Sequence, residues 1–315
     1  MKQKIAFFIL LILFYSCKKD GASNINKNIT TQNASPGKYL LFDADWLYNS
    51  GKSSTLSLLT SLYRTNLEGA GLTQITTPPT NYFDYRASYS FDGSKIIFVR
   101  GNQDGTDHGL YIVDSTGNNL TNITKGDEVD YASFSPNGKQ VVYAKSLTSG
   151  ASSAYDIYVA NADGTDEQKI TSFANQNGGA GNIHWSSDGK IYFEASSNSV
   201  KSGIYSINAD GSNLNYITSN FELMSISPDG KYLLYETTMG LSICNNDGSN
   251  PVTVINFNSS TPDAIIGGGW SADGKEIYYS HFDSALNTFG IFKINIDGSG
   301  LTKILNGYYE YPSIH

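Results

Sequence analysis

The sequence predicts an all-β fold: a six-bladed β-propeller of four-stranded antiparallel blades, its ring closed by N- and C-terminal segments that share one blade. Three observations predict it. An aromatic or aliphatic residue followed by Ser and a tight turn recurs at Tyr89–Gly93, Phe134–Gly138, Trp185–Gly189, Ile226–Gly230 and Trp270–Gly274. A second turn ending in Gly recurs six times, at Gly69, Gly117, Gly164, Gly211, Gly248 and Gly298. The spacing of these units, roughly 40–50 residues with several strands each, is that of a propeller blade.

Each element follows from local chemistry. In the first turn, Pro or Ala, then Asp or Asn, then Gly fit a type I turn closed by a left-handed residue, as in Ser135-Pro136-Asn137-Gly138. Such a turn joins antiparallel strands, here the innermost strand A and its neighbour B. Strands such as Lys139–Tyr143 and Lys231–Tyr235 follow it. The second turn, as in Asn161-Ala162-Asp163-Gly164, links strand C to a short outer strand D that often reads Leu-Thr-x-Ile, as at Leu72–Ile75 and Leu120–Ile123.

The first turn and its inner strand are complete five times, and the sixth copy is divided between the chain ends. Tyr311–Ile314 matches Tyr131–Phe134, and Pro36–Phe42 matches the stretch from Pro228 to Tyr235. The C-terminal residues are therefore expected to supply the innermost strand of the first blade, which removes the open edges of the sheet.

The aromatic-Ser-Pro-Asp-Gly-Lys repeat resembles the TolB-like, WD40-like propeller repeat, over nearly all of residues 38–315. The resemblance implies the propeller fold and a habit of binding partners at the propeller mouth. The chain has no room ahead of the propeller for the small α/β domain that TolB carries.

Residues 1–16 combine a basic start with an apolar run, Ile5–Tyr15, too short to span a membrane. They resemble a bacterial lipoprotein signal peptide with Cys17 as the lipidated residue; the alternative is an ordinary secretory signal with an incidental Cys. Residues 17–37 hold few apolar side chains and read as a flexible tether. Lys18-Lys19-Asp20 resembles the surface-export signals of some Bacteroidetes lipoproteins. The resemblance implies a place in the bacterial cell envelope, lipid-anchored at the outer membrane, on its periplasmic or its surface face. The other cysteine, Cys244, is expected in a strand as a small buried hydrophobe.

The formal charge of −8 becomes about −10 once Lys2 and Lys4 leave with the signal. An acidic domain without a Lys/Arg stripe argues against nucleic acid. Contact with membrane is expected through the anchor alone, and the domain as a monomer. Most of the 22 Tyr and 15 Phe are expected between blades, with a carbohydrate-stacking role left to Tyr82, Phe83, Tyr85, Tyr308 and Tyr309.

No Gly-x-Ser-x-Gly, Walker, Cys-x-x-Cys or His-Glu-x-x-His motif occurs. The four histidines, His108, His184, His281 and His315, form no sequence cluster. Aligning inner strands on Phe134, Ile226 and Ile314 puts Asp130, Glu222 and Glu310 at one equivalent position on alternate blades. Three converging carboxylates repel unless a cation joins them, and Arg86, one blade away, or a divalent cation would serve; otherwise each carboxylate is separately solvated. No cofactor is implied. The expected ligand-binding set is Tyr85, Arg86, Asp130, His184, Glu222 and Glu310, at a mouth ringed by the long connections 43–60, 101–109, 147–154, 173–181 and 256–269. Two functions fit: a non-catalytic scaffold for an envelope protein, peptide or glycan, or a carbohydrate-active lyase or hydrolase using the same face.

Overall fold

A computed structural model describes residues 39–45, 60–102, 107–124, 128–146, 154–176, 178–219, 222–238, 240–256, 264–283 and 288–314. Cys17, the tether, His315 and much of the long connections lie outside them.

Three strands open the chain: β1 (Tyr39–Asp45), β2 (Thr60–Asn66) and β3 (Thr73–Gln74). Blade 2 follows as β4 (Tyr82–Tyr89), β5 (Lys95–Asn102), β6 (His108–Asp114) and β7 (Thr121–Asn122), and blade 3 as β8 (Val129–Phe134), β9 (Gln140–Ser146), β10 (Tyr155–Asn161) and β11 (Gln168–Lys169). A single 3-10 turn, Ala174–Gln176, leads to blade 4: β12 (Gly179–Trp185), β13 (Lys190–Ser196), β14 (Gly203–Asn208) and β15 (Asn215–Thr218). Blade 5 is β16 (Glu222–Ile226), β17 (Tyr232–Thr237), β18 (Gly240–Asn245) and β19 (Val252–Asn256). Blade 6 is β20 (Ala264–Trp270), β21 (Glu276–Asp283), β22 (Thr288–Asn295) and β23 (Thr302–Asn306). The last strand, β24 (Tyr309–Ile314), pairs with β1, Leu40 opposite Ile314 and Asp43 opposite Glu310. Blade 1 thus reads β24-β1-β2-β3, as the divided repeat predicts.

Both turns behave as their residues dictate. In the A–B turn the Ser hydroxyl donates to the Asp or Asn two residues on: Ser90 to Asp92 at 2.6 Å, Ser135 to Asn137 at 2.9 Å, Ser227 to Asp229 at 2.7 Å and Ser271 to Asp273 at 2.8 Å. The same oxygen accepts the N–H five residues on, as from Lys95 at 3.0 Å and Tyr232 at 2.9 Å. The backbone groups of a tight corner are thereby satisfied.

The C–D glycines do a second job that their turn type does not reveal. A methyl group added to Gly69, whose φ is 80°, would sit 2.6 Å from the carbonyl oxygen of Ile304 in blade 6. Each of the other five presses in the same way on the preceding blade: Gly117 on Ile75, Gly164 on Ile123, Gly211 on Ile170, Gly248 on Ile217 and Gly298 on Val254. The outer rim is a closed circle of six such contacts, with one of them spanning the seam between the last blade and the first.

Central strands are buried on both faces because each blade lies between two others. In β5, residues Ile96 to Gly101 are all buried, so the strand reads as a nearly continuous buried run. The outer strands are short and exposed, which leaves little free edge. Tyr143, Tyr192, Tyr278, Phe98, Phe134 and Phe193 are almost wholly buried, and each such side chain contributes about 1.5–3 kcal/mol. Cys244 is buried, as expected. Tyr309 is not a stacking surface for sugars: β24 turns it inward, edge-on to Phe42 at 4.9 Å. Tyr82, Phe83 and Tyr85 stand on β4 rather than on a loop.

Candidate functional site

The six inner strands build the channel, and each is interrupted by a bulge. The pairing register shifts in β4, β8, β12, β16 and β20, and between β1 and β24. Three residues before the end of the inner strand, the backbone goes left-handed at Arg86 (φ 53°), Tyr131 (φ 44°), Asn182 (φ 47°), Gly267 (φ 94°) and Tyr311 (φ 47°). Four of these are not glycine, and each such residue costs on the order of 1 kcal/mol or more. A bulge of this kind re-aims side chains.

Arg86 and Asp130 form an ion pair, both side chains 14% exposed. The guanidinium lies 3.7 Å from the centre of the Tyr131 ring, 5.5 Å from that of Tyr311 and 5.8 Å from that of Tyr85. Burial alone would depress its pKa, but Asp130, with Tyr131 and Tyr311, holds it well above the usual arginine value. Arg86 Nε has no hydrogen-bond partner. Of the three aligned carboxylates, Arg86 pairs with Asp130, beside Tyr85.

The other two aligned carboxylates each face a second acid across their blade. Glu310 opposes Asp43, which is 2% exposed; burial, then Glu310, raises the Asp43 pKa well above the carboxylate range. Glu310 accepts the Tyr308 hydroxyl and is itself raised by burial. Glu222 opposes Glu236. Solvent reaches Glu222 along the channel, yet the surrounding walls desolvate its carboxyl enough to raise its pKa. Burial, then Glu222, pushes Glu236 to about 7. Glu194, on the adjoining blade, also rises to about 7 by burial, although it accepts Asn182 Nδ2 at 2.9 Å and the Leu223 N–H.

Asp43, Glu194 and Glu236 were not in the expected set. Their signal is present in the B strands, where an aromatic residue precedes each: Phe42-Asp43, Phe193-Glu194 and Tyr235-Glu236. Those aromatics repeat in all six blades, so the residue after them marks one layer of the ring.

A cavity of about 400 Å³ runs from Arg86, Tyr131, Glu222 and Tyr311 to the A–B turns at Phe91, Pro228 and Ala272. His184 lines it, on the turn side of the acidic layer, and burial takes its pKa down to about 4, so the ring is neutral. The structure does not bring His184 together with the carboxylates as a metal site. Among the described residues no group of three or more His, Cys, Asp or Glu is placed to hold a metal ion. His315 lies outside the described residues.

No family model matches this sequence, and no curated protein matches it. Solved structures do. The TolB protein of Acinetobacter baumannii superposes with a TM-score of 0.68 at 16% identity, over 88% of this chain and 66% of that one. A chain of a nidogen/laminin complex gives 0.64 at 13% identity, over 88% of this chain and 98% of its own. An oligogalacturonate lyase in complex with manganese gives 0.54 at 14% identity, over 78% and 71%. What these likenesses share with the chain is its fold, a TolB-like six-bladed β-propeller.

Proposed function

We propose that this chain is a lipid-anchored protein of the bacterial cell envelope whose propeller binds a protein, peptide or glycan at its central channel, without catalysis. The observation that carries this is the inner layer of the ring. Five blades carry Arg86, Asp130, Glu194, Glu222, Glu236, Glu310 and Asp43 on their two innermost strands, and Arg86 and Glu222 line the cavity. Concave sites with a few convergent polar groups on a rigid frame are where ligands bind. The likeness to TolB and to a chain of a nidogen/laminin complex is compatible with a protein partner. The anchor rests on the lipoprotein-like signal ending at Cys17.

The test has two arms. Tyr85→Ala, Asp130→Asn, His184→Ala, Glu222→Gln and Glu310→Gln should weaken capture of envelope peptides or glycans. Asp92→Asn and Asp229→Asn, in the turns, should not. Loss confined to the turn variants would overturn the assignment. In cells, Cys17→Ser should release a folded protein from the membrane fraction and abolish fatty-acid labelling; retention without label on the wild type would show that the anchor was misread.

A second reading, a carbohydrate-active enzyme, is favoured by one feature. Two channel carboxyls sit at about 7, the range that suits a general acid at neutral pH. Glycan turnover that disappears in both Glu194→Gln and Glu236→Gln would establish it.

A further inference from the structure

Among the described residues, the acidic side chains of the inner layer outnumber the cations. Arg86 is the cation that acts on Asp43, Glu222 and Glu310, and it is already engaged by Asp130. The surplus collects in two places: Asp43 with Glu310 on blade 1, and Glu222 with Glu236 on blade 5. Blade 6 lies between them, and its inner strand, Ala264–Trp270, carries no charged side chain. Gly267 and Gly269 on that strand pack so closely on β24 that a Cβ on either would lie within 3 Å of Tyr311, Pro312 or Ile314. The two acid pairs therefore flank one narrow, uncharged wall.

One buried group of this cluster also lacks a hydrogen-bond partner. Asp43 is 2% exposed, and its Oδ1 has no hydrogen-bond partner. A buried acceptor left without a donor is the exception in folded proteins and calls for one. Among the described residues no group of three or more His, Cys, Asp or Glu is placed to hold a metal ion. Carboxyls spread round a wall instead suit a cation that brings its own hydrogen-bond donors on a flexible arm. A primary ammonium offers three N–H groups on an alkyl stem, and the cavity that ends at Glu222 is walled by Tyr131, Met224 and Tyr311, against which such a stem packs.

We propose that the acidic layer binds a primary alkylammonium group, carried by a free polyamine or by a lysine side chain of a partner. The proposal rests on the channel being the binding site and adds the chemistry that it selects.

Calorimetric titration of the full chain in mild detergent, near neutral pH and physiological salt, uses spermidine as the first probe. Saturable one-site binding is expected. Glu222→Gln and Glu236→Gln should each weaken it about tenfold, the worth of one charge-assisted hydrogen bond. Asp210→Asn, an exposed turn residue with the same change of charge, should leave it unaltered, and uncharged 1,8-octanediol should not bind. A single-lysine peptide with neutral flanks that competes with spermidine assigns the group to a partner's side chain; spermidine binding alone assigns it to a polyamine. Circular dichroism confirms that each variant is folded, and Asp43→Asn provides a third carboxyl to test. Wild-type affinity in both glutamine variants, an equal loss in Asp210→Asn, or no binding of either probe overturns the proposal. If neither probe binds while channel variants still impair capture of an envelope partner, the ammonium reading fails and the binding site stands.

Discussion

Glu236 and His184 sit in the same channel and respond to burial in opposite directions, which makes the stability of this domain depend on pH in a readable way. The Glu236 carboxyl moves from 4.5 in an open chain to about 7 in the fold, and Glu194 does the same. Between those values the folded protein holds protons that the unfolded chain has released. The stability they give is therefore complete below about 4.5 and is lost as pH rises through 7. His184 runs the other way: its folded value is about 4 against 6.5, so its contribution is present above 6.5 and falls away as the pH drops through 4. Asp43, Glu222 and Glu310 are also raised, so the carboxyls outnumber the histidine. The domain should melt higher near pH 5.5 than near pH 8. Glu236→Gln should raise stability at pH 8 by on the order of 1–3 kcal/mol and shrink that difference. Melting curves across the range check both, and a wild-type domain most stable at alkaline pH would contradict the assignment.

At the level of the element, the two glycine turns look alike in sequence and differ in what they tolerate. Gly138, in an A–B turn, has φ 67° and open space around it, so Gly138→Ala should cost only the left-handed conformation, about 1–2 kcal/mol. Gly69 has the same handedness and in addition the Ile304 carbonyl 2.6 Å from where a methyl group would go. Gly69→Ala should therefore cost clearly more, and denaturant titration of the two variants decides it. Equal losses would show that turn conformation alone selects these glycines. The same contrast marks the reach of the sequence. Turns, blade count and the divided blade were legible because each is written by residues whose local chemistry repeats. Asp130, Glu222 and Glu310 were legible because they recur at one place in a repeat. Their partners across the rung, Asp43 and Glu236, were not, because the register of those ladders shifts between Leu41 and Asp43 and between Leu223 and Ser225, and no residue type there announces a bulge. The cavity leading to the acidic layer is a property of six strands together and is written in none of them.

For the whole molecule, stability depends on closure. Deleting residues 309–315 removes β24, its ladder with β1 and its packing on β20. Tyr309, buried against Phe42, goes with it. The loss should be several kcal/mol, as for severe core mutations. Removing residues 18–35 should change the melting temperature little; equal losses in the two truncations would mean that the ends do not share a blade. The place of the seam has a further meaning. Leu40 stands opposite Ile314 as Val141 stands opposite Phe134, so β24 and β1 pair as the two inner strands of the other blades do. The ring consequently has no privileged starting point. A circular permutant that runs from His315 through Pro-Asp-Gly-Lys into Tyr39, with new ends opened between residues 125 and 127, should fold to the same six blades and melt within a few degrees of the parent. An unfolded permutant would show that the order in which the blades are made, and not only their neighbours, shapes this domain.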